Sequence, residues 1–370
     1  MTSGRWRFSA SCLAVAVLSA ACSGAVGIGS PDGGEDEPDA AMKPDASTDS
    51  GTPLDAGPDA GGDPGLDGGI DAGTDAGLKS GRLSLSPVEL VFSGVKGTTI
   101  GPHAIAATNS GNAAVQLMSA TVTGAAFAVS SSSALPVTLG PGQTANFAVT
   151  FSPSSATVGI VNGRLNFASS LGPLDAGLFA LSTNGLQGAN EPPLALCVAA
   201  LGYAINVGGT GLSLGTGAAP IGDEVVHPLF RKADAGPVGL RAVARYSPNE
   251  TLPFGWYLPG ADGGAGARSL VGTIAFGQEQ TLNPGLTPDS GVSFDPGTTA
   301  FGIYVSSLTF NRNTYTQDAL NTGPTIHATR VYPLKDRQGR PVPYAFLIGF
   351  EDAANGDYQD YVFVISNVVP

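Results

Sequence analysis

The chain has 370 residues, 42% of them hydrophobic, and a net charge of −13, which is length and apolar content enough for two domains of ordinary size. The charge is unevenly spread: residues 23–80 carry 13 carboxylates against two lysines, a balance of −11, whereas residues 81–370 carry 17 acidic and 13 basic side chains, a balance of −4. The larger part is close to neutral, which excludes the basic stripe of a nucleic-acid binder and a strong single-sign steering field.

At the N-terminus, Arg5 and Arg7 precede a short apolar run, Cys12 to Ala21, and then the small-residue sequence Ser19-Ala20-Ala21-Cys22. Those are the parts of a secretory signal, and the run is about half of the ~20 residues a membrane-spanning helix needs. The segment resembles a bacterial lipoprotein signal, with Ser19 where that family prefers Leu. The resemblance implies cleavage after residue 21, acylation of Cys22, and, with Ser23 next, sorting to the outer membrane of a Gram-negative cell envelope, exposed at the surface. The alternative is an ordinary signal that leaves Cys22 as a plain thiol. With Cys12 removed and Cys22 acylated, Cys197 stands alone in Leu194-Ala-Leu-Cys-Val-Ala-Ala200 and is expected to be a small buried hydrophobe. No disulfide is then available, so stability must come from apolar burial.

Residues 22–80 are a tether. Asp-Ala-Gly recurs at Asp55, Asp59, Asp71 and Asp75 among Pro and Gly, a composition that cannot bury enough surface to offset the entropy of ordering. A disordered chain of this length spans on the order of 40 Å. Its aspartates lack the Gly-Gly-x-Gly-x-Asp register of Ca²⁺-binding repeats.

Residues 81–187 break into short alternating runs, among them Leu90-Val-Phe92, His103 to Thr108, Asn146 to Phe151 and Arg164 to Phe167, separated by Asn109-Ser-Gly-Asn112, Gly140-Pro-Gly142 and Asn162-Gly163. About seven strands at roughly ten-residue spacing predict a β-sandwich. Leu85-Ser-Pro87, Thr108-Asn-Ser-Gly-Asn112 and Leu139-Gly-Pro-Gly-Gln143 with Val149-Thr-Phe-Ser-Pro153 together resemble the ASPM/hydin-type immunoglobulin-like domain of "choice-of-anchor" bacterial surface proteins. That resemblance implies a scaffold or binding module.

After a short polar linker, 187–193, residues 194–370 keep a β texture: Ala204 to Val207, Val238 to Arg245, Phe254 to Tyr257, Phe301 to Val305, Tyr344 to Phe350 and Tyr361 to Ile365. The last two are apolar at nearly every position, as expected of central strands covered on both faces. Only Thr316 to Leu320 suggests a helical turn. The fold class is therefore all-β, two β-sandwich domains in tandem after a disordered acidic linker.

The stretch Gly349-Phe-Glu-Asp-Ala-Ala-Asn-Gly-Asp-Tyr-Gln-Asp-Tyr-Val-Phe-Val364 is similar to the acidic hairpin that ends a family of bacterial extracellular β-sandwich domains of unknown function, with Glu351, Asp352, Asp357 and Asp360 on its acidic positions. Two readings stay open. Asp352, Asn355, Asp357 and Asp360 offer hard oxygen ligands for a structural Ca²⁺, although the spacing is not that of an EF-hand. Alternatively Asn355-Gly356 is a type I′ turn and the acids solubilise its tip.

Other signals are weaker. Trp256 and Tyr257, with Phe254, form an aromatic cluster that either stacks on a sugar ring or closes the core. Gly211-Leu-Ser-Leu-Gly215 matches a hydrolase nucleophile elbow but no helix follows it. His103, His227 and His327 lack zinc spacing. Asp223-Glu224 with Asp295 or Asp318 would serve a glycosidase only at a carboxylate separation of about 5–9 Å. The sequence thus predicts a non-catalytic, lipid-anchored binding or adhesion module for a glycan, a protein or matrix. The alternatives are an envelope spacer without a ligand and a secreted polysaccharide hydrolase.

Overall fold

The computed structural model describes residues 79–226 and 229–370. The signal, Cys22, the tether up to residue 78 and His227 lie outside the described residues.

The first module has nine strands: β1 (Leu83–Ser86), β2 (Glu89–Val95), β3 (Ile100–Asn109), β4 (Val115–Thr123), β5 (Phe127–Ser131), β6 (Val137–Leu139), β7 (Thr144–Phe151), β8 (Gly159–Ser169) and β9 (Gly172–Thr183). They form two facing sheets, ordered β1-β3-β7-β5 and β2-β9-β8-β4-β6. Alternation decides the faces: Ala145, Phe147, Val149 and Phe151 of β7 point inward against Leu165 and Phe167 of β8 and Leu178 and Ala180 of β9.

Two of the segments expected to separate strands behave differently from a simple glycine turn. Asn162-Gly163 lies inside β8; a Cβ at Gly163 would meet the Thr123 carbonyl at 2.5 Å and the Phe127 ring at 2.8 Å, so this glycine admits a ring and makes no turn. Asn109-Ser-Gly-Asn112 owes nothing to a left-handed residue. Asn109 is fully buried, and its Nδ2 donates to the carbonyls of Ala113 (2.8 Å) and Leu139 (2.9 Å) while its Oδ1 accepts from Gly111 N–H (3.0 Å). Its backbone exchanges hydrogen bonds with Gln143 and Gly142, so the two motifs of the family resemblance meet in one clasp.

The segment after β9 departs from the expected β texture. A single tight turn, Gly188–Asn190, is followed by helix α1, Leu194–Ala200. Pro193 sets the start. The end is a Schellman motif, in which Gly202 N–H donates to the Ala199 carbonyl and Tyr203 N–H to the Val198 carbonyl, with Gly202 at φ +88°.

The second module holds β10 (Arg231–Lys232), β11 (Val238–Arg245), β12 (Leu252–Pro259), β13 (Ala265–Ile274), β14 (Thr281–Leu282), β15 (Ser293–Phe294), β16 (Gly302–Ser307), β17 (Arg312–Tyr315), β18 (Thr329–Lys335), β19 (Pro341–Phe350), β20 (Tyr361–Ser366) and β21 (Val368–Val369). A four-stranded sheet, β13-β12-β16-β17, faces a six-stranded one, β14-β11-β20-β19-β18 with β15 on β11. The expected helical turn appears at Asp318–Leu320; Ala204 to Val207 is not a strand, but Ile205 and Val207 are buried.

β19 and β20 are covered on both faces, as their composition requires. Phe346, Ile348, Phe350, Phe363 and Ile365 enter the core between the two sheets. Ala345, Leu347 and Val362 enter a second apolar cluster, built from α1, Ile205, Val207 and Tyr246. That cluster also takes Leu181, with Val91 against it, from the first module. Ser93 Oγ accepts from Leu282 N–H (2.8 Å), and Arg337 stacks over the Phe179 ring while reaching Glu89 (2.8 Å). The described residues thus belong to one unit, Ala72–Pro370, and the fold is all-β, two β-sandwiches in tandem with one short helix between them.

Candidate functional site

β19 and β20 pair from Ala345↔Ser366 to Phe350↔Tyr361, so the acidic stretch Glu351 to Asp360 is a ten-residue loop and not a two-residue hairpin. Its acids do not decorate a solvated tip. Glu351 (1% exposed), Asp352 (2%), Asp357 (0%) and Asp360 (5%) are all buried. Tyr358 sits at φ +58° and Gly356 at φ +71°, and residues 356–361 are buried without a break. A strap from the first loop of the module covers them: Ser213 Oγ donates to the Asn355 carbonyl (2.6 Å), and Leu214 N–H to that of Gly356 (2.7 Å).

Within the loop, one oxygen from each of Glu351, Asp357 and Asp360 lies within 4.8 Å of the others. Glu351 Oε1 and Oε2 accept from the N–H groups of Ala353 and Asp357, and Asp360 Oδ2 accepts from Asp352 N–H. Asp357 Oδ1 has no hydrogen-bond partner. Among the described residues no Lys, Arg or His forms an ion pair with any of the loop's acids. Burial pushes the carboxyls of Asp357 and Asp360 well above the usual carboxylate range, and the neighbouring negative charges add to it.

The expected ligand set is therefore redrawn. Asp352 turns away, its Oδ2 accepting from the Tyr361 hydroxyl at 2.6 Å. Asn355 is exposed and offers its Nδ2 to Asp357 Oδ2 (2.5 Å), a donor where a cation needs an oxygen. Glu351, one of the loop's four carboxylates though not of the expected ligand set, stands beside Asp357 and Asp360 instead. Gln359, also unanticipated, is fully buried, and its amide meets no partner at full hydrogen-bond geometry.

A second cluster lies in a solvent-open cleft of about 230 Å³ lined by Glu224, Val225, Gln317, Asp318, His327 and Val331, among others. Asn321 shapes its rim, accepting from Tyr315 N–H and donating to the carbonyls of Tyr315 and Ile326. This brings Asp318 Oδ2 to His327 Nδ1 (2.9 Å), while His327 Nε2 reaches Glu224 Oε1 (3.1 Å). The Glu224 carboxylate, followed by Asp318, raises the imidazole above its ordinary pKa against the opposing effect of burial. The other Glu224 oxygen accepts from buried Arg330, whose Nη2 also donates to the carbonyls of Gly215 and Gly217.

Trp256 and Tyr257 do not share a platform. Trp256, half-buried, stacks on Phe294 at 5.4 Å and packs against the core. Tyr257 is fully buried on the other face of β12, filling the space beside Gly302. Burial pushes its hydroxyl up to about 12, and it donates to Gln317 Oε1 at 3.0 Å, beneath the cleft. Of the remaining acids, Asp223 is paired with Lys335 (2.7 Å) and Asp295 with Lys232 (2.8 Å). Cys197 is buried in the apolar cluster.

No family model and no curated protein matches the chain. Among solved structures, the secreted serine protease VesC from Vibrio cholerae is 13% identical over 75% of this chain and 48% of its own (TM-score 0.22). The Vibrio cholerae VesB protease is 17% identical over 27% of this chain and 32% of its own (TM-score 0.21), so the chain spans at most about half of either protease. The periplasmic chaperone SfaE is 9% identical over 63% of this chain and 96% of its own (TM-score 0.23). At these scores the likeness does not extend beyond β-rich architecture.

Proposed function

We propose that the chain is a lipid-anchored protein of the outer membrane whose two sandwiches form a non-catalytic binding head for a surface glycan or protein. The head is anchored through Cys22 and held off the lipid by the acidic tether. The observation that carries the binding reading is the cleft beside His327. Apolar walls with a few convergent polar groups are the usual composition of a ligand site, and at about 230 Å³ this one suits a single sugar ring or side chain better than a drug-sized molecule. Asp318, 40% exposed at its side chain, is the acceptor a ligand meets first.

The hydrolase alternative has less support. Ser213 donates its hydroxyl proton to a backbone carbonyl, and no base among the described residues is hydrogen-bonded to it. Glu224 and Asp318, the nearest approach to a glycosidase pair, are bridged by the His327 ring, which occupies the space a substrate oxygen would need. Glycan-array and surface-protein binding by the full chain tests the proposal. Binding lost on Asp318→Ala supports it, whereas binding indifferent to that change places the ligand elsewhere, and none on any array leaves a spacer. Fatty-acid labelling lost in Cys22→Ser tests the anchor.

A further inference from the structure

We propose that Glu351, Asp357 and Asp360, completed by the amide of Gln359, form a buried Ca²⁺ site that staples the long loop between β19 and β20. Three carboxylates with oxygens mutually within 4.8 Å fit around one ion, because Ca²⁺–oxygen distances of about 2.3–2.6 Å place ligands on opposite sides of the ion about 5 Å apart. These acids are 0–5% exposed, and among the described residues none of them is ion-paired with a Lys, Arg or His, so no direct counter-charge offsets their burial.

An independent observation points the same way. Gln359, 0% exposed, carries an amide that meets no partner at full hydrogen-bond geometry, its looser polar contacts being to the Asp357 carboxylate and Glu191. Buried amides almost always find partners, and a half-turn of this one presents its oxygen as a neutral ligand. Asp357 Oδ1, likewise buried and unpartnered, supplies a further free oxygen.

The chemistry selects the ion. All donors are hard oxygens, and Cys197 is not among the converging groups, which disfavours zinc. Mg²⁺ gives up its water reluctantly and is rarely held by an all-protein cage, whereas Ca²⁺ accepts six to eight oxygens in an adaptable arrangement. The consequence for the fold is direct. An ion here joins the start of the loop (Glu351) to its end (Asp357, Asp360), beneath the strap that closes over Asn355 and Gly356.

The test uses the full chain, stripped with EDTA and melted in CaCl₂ or MgCl₂. At a Ca²⁺ concentration about a hundredfold above Kd, Tm rises by about 5 °C, and Mg²⁺ at the same concentration does not reproduce the rise. Asp357→Asn and Asp360→Asn abolish the Ca²⁺ shift. In EDTA they melt no lower than the unmodified chain, since the amide keeps the shape of the carboxyl and adds no buried charge, and this shows that they fold. Asp318→Asn, outside the loop, keeps the shift. Calorimetric titration of the unmodified chain gives one tight Ca²⁺ site. Equal shifts with Mg²⁺, no tight site, or a Ca²⁺ shift that survives in both loop variants, which would assign binding to the acidic 23–80 stretch, would each overturn the proposal.

Discussion

Two groups of acids in the same sandwich are finished in opposite ways. Around the cleft, Glu224 has Arg330 and His327 against its two oxygens, and Asp223, at the neighbouring position, has Lys335. In the loop between β19 and β20, Glu351, Asp352, Asp357 and Asp360 accept from backbone N–H groups, one hydroxyl and one amide, and none is ion-paired among the described residues, Arg312 and Arg245 acting on Asp352 only at a distance. The first arrangement carries its own counter-charge and holds whatever the solvent contains. The second depends on protons or on an external cation. Burial alone therefore does not mark a site; burial without compensation does.

The contrast can be broken most forcefully from the cleft side. Arg330→Met removes the guanidinium from buried Glu224 and the donor from the Gly215 and Gly217 carbonyls. Loss of one partner of a buried pair costs about 3–5 kcal/mol, which lowers Tm by roughly 6–10 °C or more in a chain of this size. A melt within 2 °C of the unmodified chain would show that Glu224 is not held by this pair. On the loop side, Tyr361→Phe withdraws the one hydroxyl that serves Asp352 Oδ2, whose other oxygen already has no partner. Stranding a buried acceptor costs about 1–3 kcal/mol, to be read from urea denaturation midpoints. A neutral outcome would mean that Asp352 is protonated or finds another donor.

The sequence was most legible where packing follows a period. Alternation in Asn146 to Phe151 and unbroken hydrophobicity in Tyr344 to Phe350 and Tyr361 to Ile365 gave strands half-covered and doubly covered, as found. What covers the outer face of the last two strands was not legible. Leu194-Ala-Leu-Cys-Val-Ala-Ala200 is apolar at every position, so it has no amphipathic period to distinguish a buried helix from a buried strand. The flanking Pro193 and Gly202 were the only local signal for the helix. In the acidic loop, spacing drew attention to these ten residues but could not tell which of their side chains converge. Side-chain direction there depends on the left-handed Tyr358 and on a strap more than 130 residues away in sequence, neither of which has a local pattern. Of the two readings of the aromatic pair, packing into the protein is the one observed: neighbours in a strand face opposite ways, so Trp256 and Tyr257 do not share one surface.

A smaller effect sharpens the comparison through pH. His327 has its folded pKa raised, chiefly by Glu224 and then by Asp318, with Arg330 behind Glu224 and the edge of the Tyr358 ring as its other neighbours. A raised histidine pKa means that the stabilisation is complete below the unfolded value of about 6.5 and disappears as pH rises through the folded value. The Tm gap between the unmodified chain and His327→Gln is therefore widest near pH 6 and narrows above neutrality. Taking the gap between the two proteins cancels the loop acids, whose own titration is common to both. A gap that widens with pH would mean that the imidazole is held neutral between its two carboxylates.

The smallest change is expected at Asp223, although it adjoins Glu224. Its Oδ2 accepts from Lys335 Nζ (2.7 Å) and from Asn206 N–H (2.9 Å), and these hold its carboxyl below the usual range. Both partners of the pair are nonetheless about 30% exposed at their side chains, at 28% and 31%, so water and salt screen it. Asp223→Asn keeps an oxygen for the Asn206 N–H and forfeits the ion pair alone, a loss of about 0.2–1 kcal/mol that shrinks further in 1 M NaCl. The same salt leaves the Arg330→Met penalty nearly unchanged, because that pair is about 1–2% exposed. Two acids one residue apart in sequence would then differ severalfold in cost and in salt response. If Asp223→Asn instead costs as much as Arg330→Met, solvent does not screen the Asp223–Lys335 pair, and the contrast between the two neighbouring acids fails.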